Sequence, residues 1–220
     1  MAGLGRPELL SSGCVPPAGS CCYSGKLSIM DDSPGTARTR RGDEATHTPP
    51  AVVVDYDPHW REDFDMLRSC LHPLVADVAL SIEHVGSTAV PGLAAKPIID
   101  VDVVVADEHA SRAAVHALAS GGWTPEGDLG IPGRQALQAR PDLPYHHLYV
   151  VIDGSQPHLD HVLLREHLRC HPAAAAEYGA LKKRIAPLLR TDRQAYLEAK
   201  SELVQRLLAA ERARQQPHHL

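Results

Sequence analysis

Asp100 and Asp102 stand two apart in the run Ile98-Ile99-Asp100-Val101-Asp102-Val103-Val104-Val105, which reads as a strand. Alternate side chains of a strand share a face, so both carboxylates point one way while Val101 and Val103 point into a core. Two such carboxylates repel, and one must hold a proton unless a cation stands between them. A hard divalent ion meets that need: Mg²⁺, as one or two ions, or Mn²⁺ in its place, takes a few carboxylate oxygens and keeps positions for phosphate oxygens. Upstream, Gly86-Ser87 supplies a turn in which glycine permits close backbone approach, and N–H groups with a hydroxyl suit a phosphate. Thr88 follows as a candidate helper. Idle acids inside so apolar a strand are costly, which favours metal or phosphate chemistry over two solvated strand-end acids.

Positioning these groups falls to a strand, loop, strand, helix unit. Leu80 to Val85 alternates as a strand, turns at Gly86 and Pro91-Gly92 lead to Ile98–Val105, and Asp107 caps a helix that ends at Gly121-Gly122. Ahead of this unit, Val52-Val53-Val54 reads as a short strand. Asp57-Pro58 reads as N-cap and first residue of a helix to about His72, with Trp60, Phe64, Leu67, Leu71 and Leu74 on its apolar stripe. After Trp123 the pattern breaks into short strands, among them Arg134 to Ala139 and Tyr145 to Ile152. The remainder is helical. A helix from Pro157 to about Cys170 packs by Leu159, Val162, Leu163 and Leu168, with His158, His161 and Arg165 on another stripe. A second runs from Pro172 to about Ala186. Thr191-Asp192-Arg193-Gln194 is a capping-box pattern that opens the last, packed by Tyr196, Ala199, Leu203 and Leu207.

Residues 1–50 are poor in large apolar side chains and read as a disordered extension, 51–212 as one folded domain and 213–220 as a C-terminal tail. A hydrophobic share of 44% supports a globular core, and a net charge of −5 argues against a surface that coats nucleic acid. The five cysteines include three in the extension and two far apart, so they indicate neither a disulfide framework nor a zinc site, and a reduced cytoplasmic setting is the default. No apolar run approaches the ~20 residues of a membrane span. No G-x-x-x-x-G-K-[ST] phosphate loop is present.

The string HVGSTAVPGLAAKPIIDVDVVV, from His84 to Val105, resembles the GrpB family, part of the nucleotidyltransferase superfamily that includes DNA polymerase β. GIPGR at Gly130, the Tyr145-His146-His147-Leu148 strand, LREHLRCHP at Leu164, YGALK at Tyr178 and YLEAK at Tyr196 extend the resemblance over about residues 51–212. It implies an α/β fold with a nucleotidyltransferase-like mixed sheet, packed helices and a helical C-terminal half. It also implies metal-dependent transfer of a nucleotidyl group from a nucleoside triphosphate to an acceptor that the sequence does not name. In that reading Asp100 and Asp102 hold the metal, and Gly86, Ser87, Thr88, Lys96, Arg134 and Arg165 contact phosphates. His147 is the catalytic histidine, because it shares a strand face with Tyr145 and Tyr149 while His146 lies with Leu148 and Val150. Tyr149 stands where the family's H-H-L-H-V motif has a last histidine, and the strand lacks the third carboxylate of a polymerase-like site. A rival reading is a non-catalytic nucleotide- or CoA-related binding module, since the family also occurs fused behind dephospho-CoA kinase. A metal-dependent hydrolase built on histidines lacks the H-E-x-x-H spacing. Lys182 and Lys200 read as surface charges.

Overall fold

The computed structural model describes residues 51–215, so the expected disordered extension and the last five residues of the tail lie outside the described residues. Five strands form one mixed sheet in the order β1-β2-β5-β4-β3, with β1 Ala79–Val85, β2 Ile99–Val105, β3 Pro125–Gly127, β4 Arg134–Leu137 and β5 His146–Ile152. β2 runs antiparallel to β1 and parallel to β5. A parallel neighbour requires a crossover, which α2 (Glu108–Ser120) begins and the β3–β4 hairpin completes. Asp107 caps α2 by accepting from the Ala110 N–H at 2.9 Å.

β2 is buried on both faces, as its near-continuous valine run allows. Ile99, Val101, Val103 and Val105 join Leu148 and Val150 of β5 in one core, closed by Leu67 and Leu71 of α1 (Trp60–Val75) and by Ala114 and Leu118 of α2. The alternate residues of β2 face the C-terminal helices α3 (Gln156–Cys170), α4 (Pro172–Ile185) and α6 (Arg193–Gln215), with the short α5 (Leu188–Thr191) between the last two. There Leu93, Leu168, Tyr178, Leu203, Val204 and Leu208 make a second core.

Several local expectations are corrected. Among the described residues Val52-Val53-Val54 forms no strand, and only Val54 pairs, in an isolated bridge to Ala95. Asp57 does not cap α1 directly. Its carboxylate accepts from the His59 N–H at 3.0 Å and closes a turn ahead of Trp60. The helix then passes through Pro73 to Val75. Thr191 belongs to α5, and the cap of α6 is Asp192, which accepts from the Ala195 N–H at 2.9 Å. The expected domain boundary at 212 falls inside α6. On α3 the expected stripe holds at Leu168, which is buried in the second core, and at Leu163, which packs against it, but Leu159 is 39% exposed while His158 and His161 are buried against the acidic face of the sheet.

Candidate functional site

Strand alternation and register place Asp100 and Asp102 on one face of β2, level with His147 and Tyr149 of β5 and with Val85 and Glu83 of β1. Each acid meets a histidine. Asp100 Oδ1 lies 2.8 Å from His147 Nδ1, and Asp102 Oδ2 lies 2.7 Å from His161 Nδ1. The repulsion expected between the acids is thus relieved by imidazoles in the protein itself. Asp102 is fully enclosed, and its Oδ1 is buried with no hydrogen-bond partner among the described residues. Burial opposes a charge on His161. The adjacent Asp102 carboxylate, by its charge and its hydrogen bond, and then Asp100 outweigh that and hold the imidazole above its ordinary pKa.

The turn after β1 is built to touch Asp100. Gly86 has φ +72° and ψ −167°, a region essentially restricted to glycine, and a Cβ there would stand 2.1 Å from Asp100 Oδ2. Ser87–Ala89 forms a single 3-10 turn. Thr88 points inward: its hydroxyl donates to the Ile98 carbonyl at 3.1 Å. With that proton committed, Thr88 Oγ1 accepts from His84 Nε2 at 3.0 Å, so His84 is the neutral Nε2–H tautomer. Burial, partly offset by Asp100, pushes the His84 pKa down to about 4.

Gly86, Ser87, Lys96, Asp100 and His147 line one wall of a cavity of about 60 Å³. The opposite wall comes from α3, α4 and α6 and includes Asp160, His161, Tyr178, Lys182, Tyr196 and Lys200. Lys182 is only 2% exposed. Its Nζ lies 4.3 Å from the Tyr178 ring centroid and has no hydrogen-bond partner among the described residues. Burial and then the charge of Lys200 push the Lys182 pKa well below the usual lysine range, while Asp100 pulls the other way. The surface reading of Lys182 and Lys200 is therefore corrected, and both join the site. A signal existed: Tyr-x-x-x-Lys occurs at Tyr178–Lys182 and again at Tyr196–Lys200, a spacing that stacks an aromatic and an ammonium on one helix face. Asp160 adds a third carboxyl, from a helix and not from the neighbouring strand; its pKa is raised by burial, against the pull of Arg212.

Three expected phosphate contacts do not reach this cavity. Thr88 is committed inward, as above. Arg165 pairs with Glu83 at 2.9 Å, Glu166 at 2.7 Å and the His84 carbonyl at 3.0 Å, so it ties α3 to β1. Arg134, opposite Val151 on β4, is buried over the Tyr149 ring at 4.6 Å and is not among the lining residues. Asp102 also stays behind the lining, sealed by His161.

A mixed sheet in which a Gly-Ser turn presses on a D-x-D strand, with helices closing the acidic face, is a nucleotidyltransferase-like α/β fold. The family model described as GrpB protein matches residues 50–210, and the chain belongs to the GrpB family. The UPF0157 protein YqkA of Bacillus subtilis is 33% identical over 152 residues, and the match covers 69% of this chain but only 44% of YqkA. A UPF0157 protein of Halalkalibacterium halodurans is 32% identical over 192 residues, covering 82% of this chain and 95% of that protein. The crystal structure of the conserved protein GrpB from Enterococcus faecalis superposes with a TM-score of 0.63 at 32% identity, over 72% of this chain and 98% of that one. Among the described residues no helix is long and apolar enough to cross a membrane.

Proposed function

We propose that the cavity binds the phosphates of a nucleoside triphosphate and that the protein transfers the nucleotidyl group to an acceptor. Lys182 is the observation that carries this reading. An ammonium held out of water without a hydrogen-bond partner among the described residues, beside two further lysines and a Gly-Ser turn, suits a polyanion. Lys96, Lys182 and Lys200 would take phosphate oxygens, and the hydroxyl of Ser87 would add a donor. His147 holds the Asp100 carboxylate in one orientation, and Gly86 lets the turn close on it.

The donor set also fits a hard divalent cation. Asp100 faces the cavity, and on the same strand Asp102 Oδ1, behind His161, is a buried oxygen with no donor among the described residues. Asp100 and Asp102 would hold Mg²⁺ or Mn²⁺, which when bound neutralises developing charge on the transferring phosphate. The residues of the chain meanwhile position the phosphates and exclude water.

The test is pyrophosphate release from each of the four nucleoside triphosphates with Mg²⁺, alongside thermal melts. One triphosphate should raise Tm and yield pyrophosphate, and Asp100→Asn should abolish the release. No melting shift with any triphosphate would overturn the reading. A second reading, a binding module without turnover, is favoured by His147 and Tyr149 standing opposite the two acids where a third carboxylate belongs. It expects the shift in Tm and no pyrophosphate.

A further inference from the structure

We infer that His167, His171 and Glu211 form a separate metal site, outside the cavity above, for a borderline divalent cation of the zinc class. One ligand atom from each lies within 4.8 Å of the others. His167 is in the last turn of α3 and His171 is its C-cap, so the two imidazoles stand one turn apart with ring centroids 4.3 Å apart. Glu211 reaches them from α6, its Oε2 2.9 Å from His167 Nδ1.

Two further features are those of a metal ligand set. His171 Nδ1 lies 2.8 Å from the His167 carbonyl, which only accepts, so Nδ1 carries the proton and Nε2 presents its lone pair. An imidazole that donates one nitrogen to a backbone carbonyl and offers the other outward is in the tautomer that metal sites select. The outward nitrogen is met by a positive charge. Arg214 Nη1 donates to His171 Nε2 at 2.7 Å and lies 3.5 Å from Glu211 Oε2. The guanidinium thus stands between imidazole and carboxylate, in the place a cation would take, and it is 58% exposed and free to turn out. The C-terminal end of α3 adds its own negative pole.

Two imidazoles and one carboxylate, with a fourth position open to water, suit Zn²⁺; Mg²⁺ and Ca²⁺ prefer an all-oxygen set. Zinc would tie the end of α3 to α6. These helices carry His161 and Lys200 of the cavity wall, so the ion would hold that wall together.

The experiment is calorimetric titration and thermal melting of EDTA-treated full-length chain with Zn²⁺, for wild type, His171→Ala, Glu211→Gln and Arg214→Ala. Wild type should take up one tight equivalent and melt about 5 °C higher or more near a hundredfold excess over Kd. His171→Ala and Glu211→Gln should each weaken that equivalent at least tenfold, and Arg214→Ala should tighten it. Zinc held by other histidines would persist in both ligand variants. If wild type binds none, or if both ligand variants keep the same stoichiometry and the same rise in Tm, the site does not exist. Should His171→Ala fail to fold, Glu211→Gln alone decides.

Discussion

On the proposed reading, Lys182 serves a ligand at the expense of the fold. Its folded-state pKa is depressed, so the folded chain binds fewer protons than the unfolded one at this position. The penalty is absent above the usual lysine range and grows as pH falls toward the lowered value. Lys182→Met is therefore expected to raise Tm at neutral pH by about 2–4 °C, roughly 1 kcal/mol, with the gain shrinking under alkaline conditions. The same substitution should weaken triphosphate binding about tenfold or more, since a charge-assisted contact contributes roughly 1.5–3 kcal/mol. Melts across pH and calorimetric titration check both halves. A variant that binds as well as wild type removes Lys182 from the site. Asp100, His147 and Gly86 were legible beforehand because a strand has a period of two and the glycine needs no partner to be read. Lys182 and Lys200 were not. Their burial depends on how α4 and α6 lie across the sheet; the Tyr-x-x-x-Lys spacing of YGALK and YLEAK marks one helix face in each but not that this face is covered.

At the scale of elements, the β1 turn is held from both sides, by Gly86 against Asp100 and by His84 against Thr88. Gly86→Ala places a Cβ on the Asp100 carboxylate and a side chain in a forbidden backbone region. It should lower stability by about 2 kcal/mol or more and abolish ligand binding, as melts and titration would show. His84 gives the turn a pH dependence. Its folded pKa of about 4 lies below the ordinary 6.5, so its contribution is complete above 6.5 and is lost as pH falls through 4. The expected loss is roughly 2–3 kcal/mol across that interval. His84→Gln, which keeps a donor and takes up no proton, should flatten the acid limb of the stability curve; an unchanged limb would place its origin elsewhere. Most elements were readable from alternation, from the valine run of β2 and from the Asp107 cap. α3 follows its apolar stripe at Leu163 and Leu168 and departs from it in its first turns, at Leu159. The sheet face it covers carries Glu83 and Asp102, and this polar ground draws His158, His161 and Arg165 inward while leaving Leu159 outside.

Across the whole molecule the sheet separates two cores, one with α1 and α2 and the other with α3, α4 and α6. The cavity lies where the second core meets the acidic strand, one wall coming from the sheet and the turn after β1 and the other from the C-terminal helices. Its volume of about 60 Å³ admits a few waters, whereas pockets for nucleotide-sized ligands run to roughly 300–1,000 Å³. A triphosphate can enter only if the helical wall moves away from the sheet. Lys182 and Lys200 repel one another within that wall, which loosens α4 against α6 until an anion draws them together. Hydrogen exchange should therefore show α4 and α6 opening well below the global unfolding free energy in the unliganded protein. Addition of the triphosphate that shifts Tm should slow exchange in α4 and α6 about tenfold or more and leave α1 and α2 unchanged. Equal protection of all four helices would mean that the ligand stabilises the fold as a unit, and that the wall does not act as a gate.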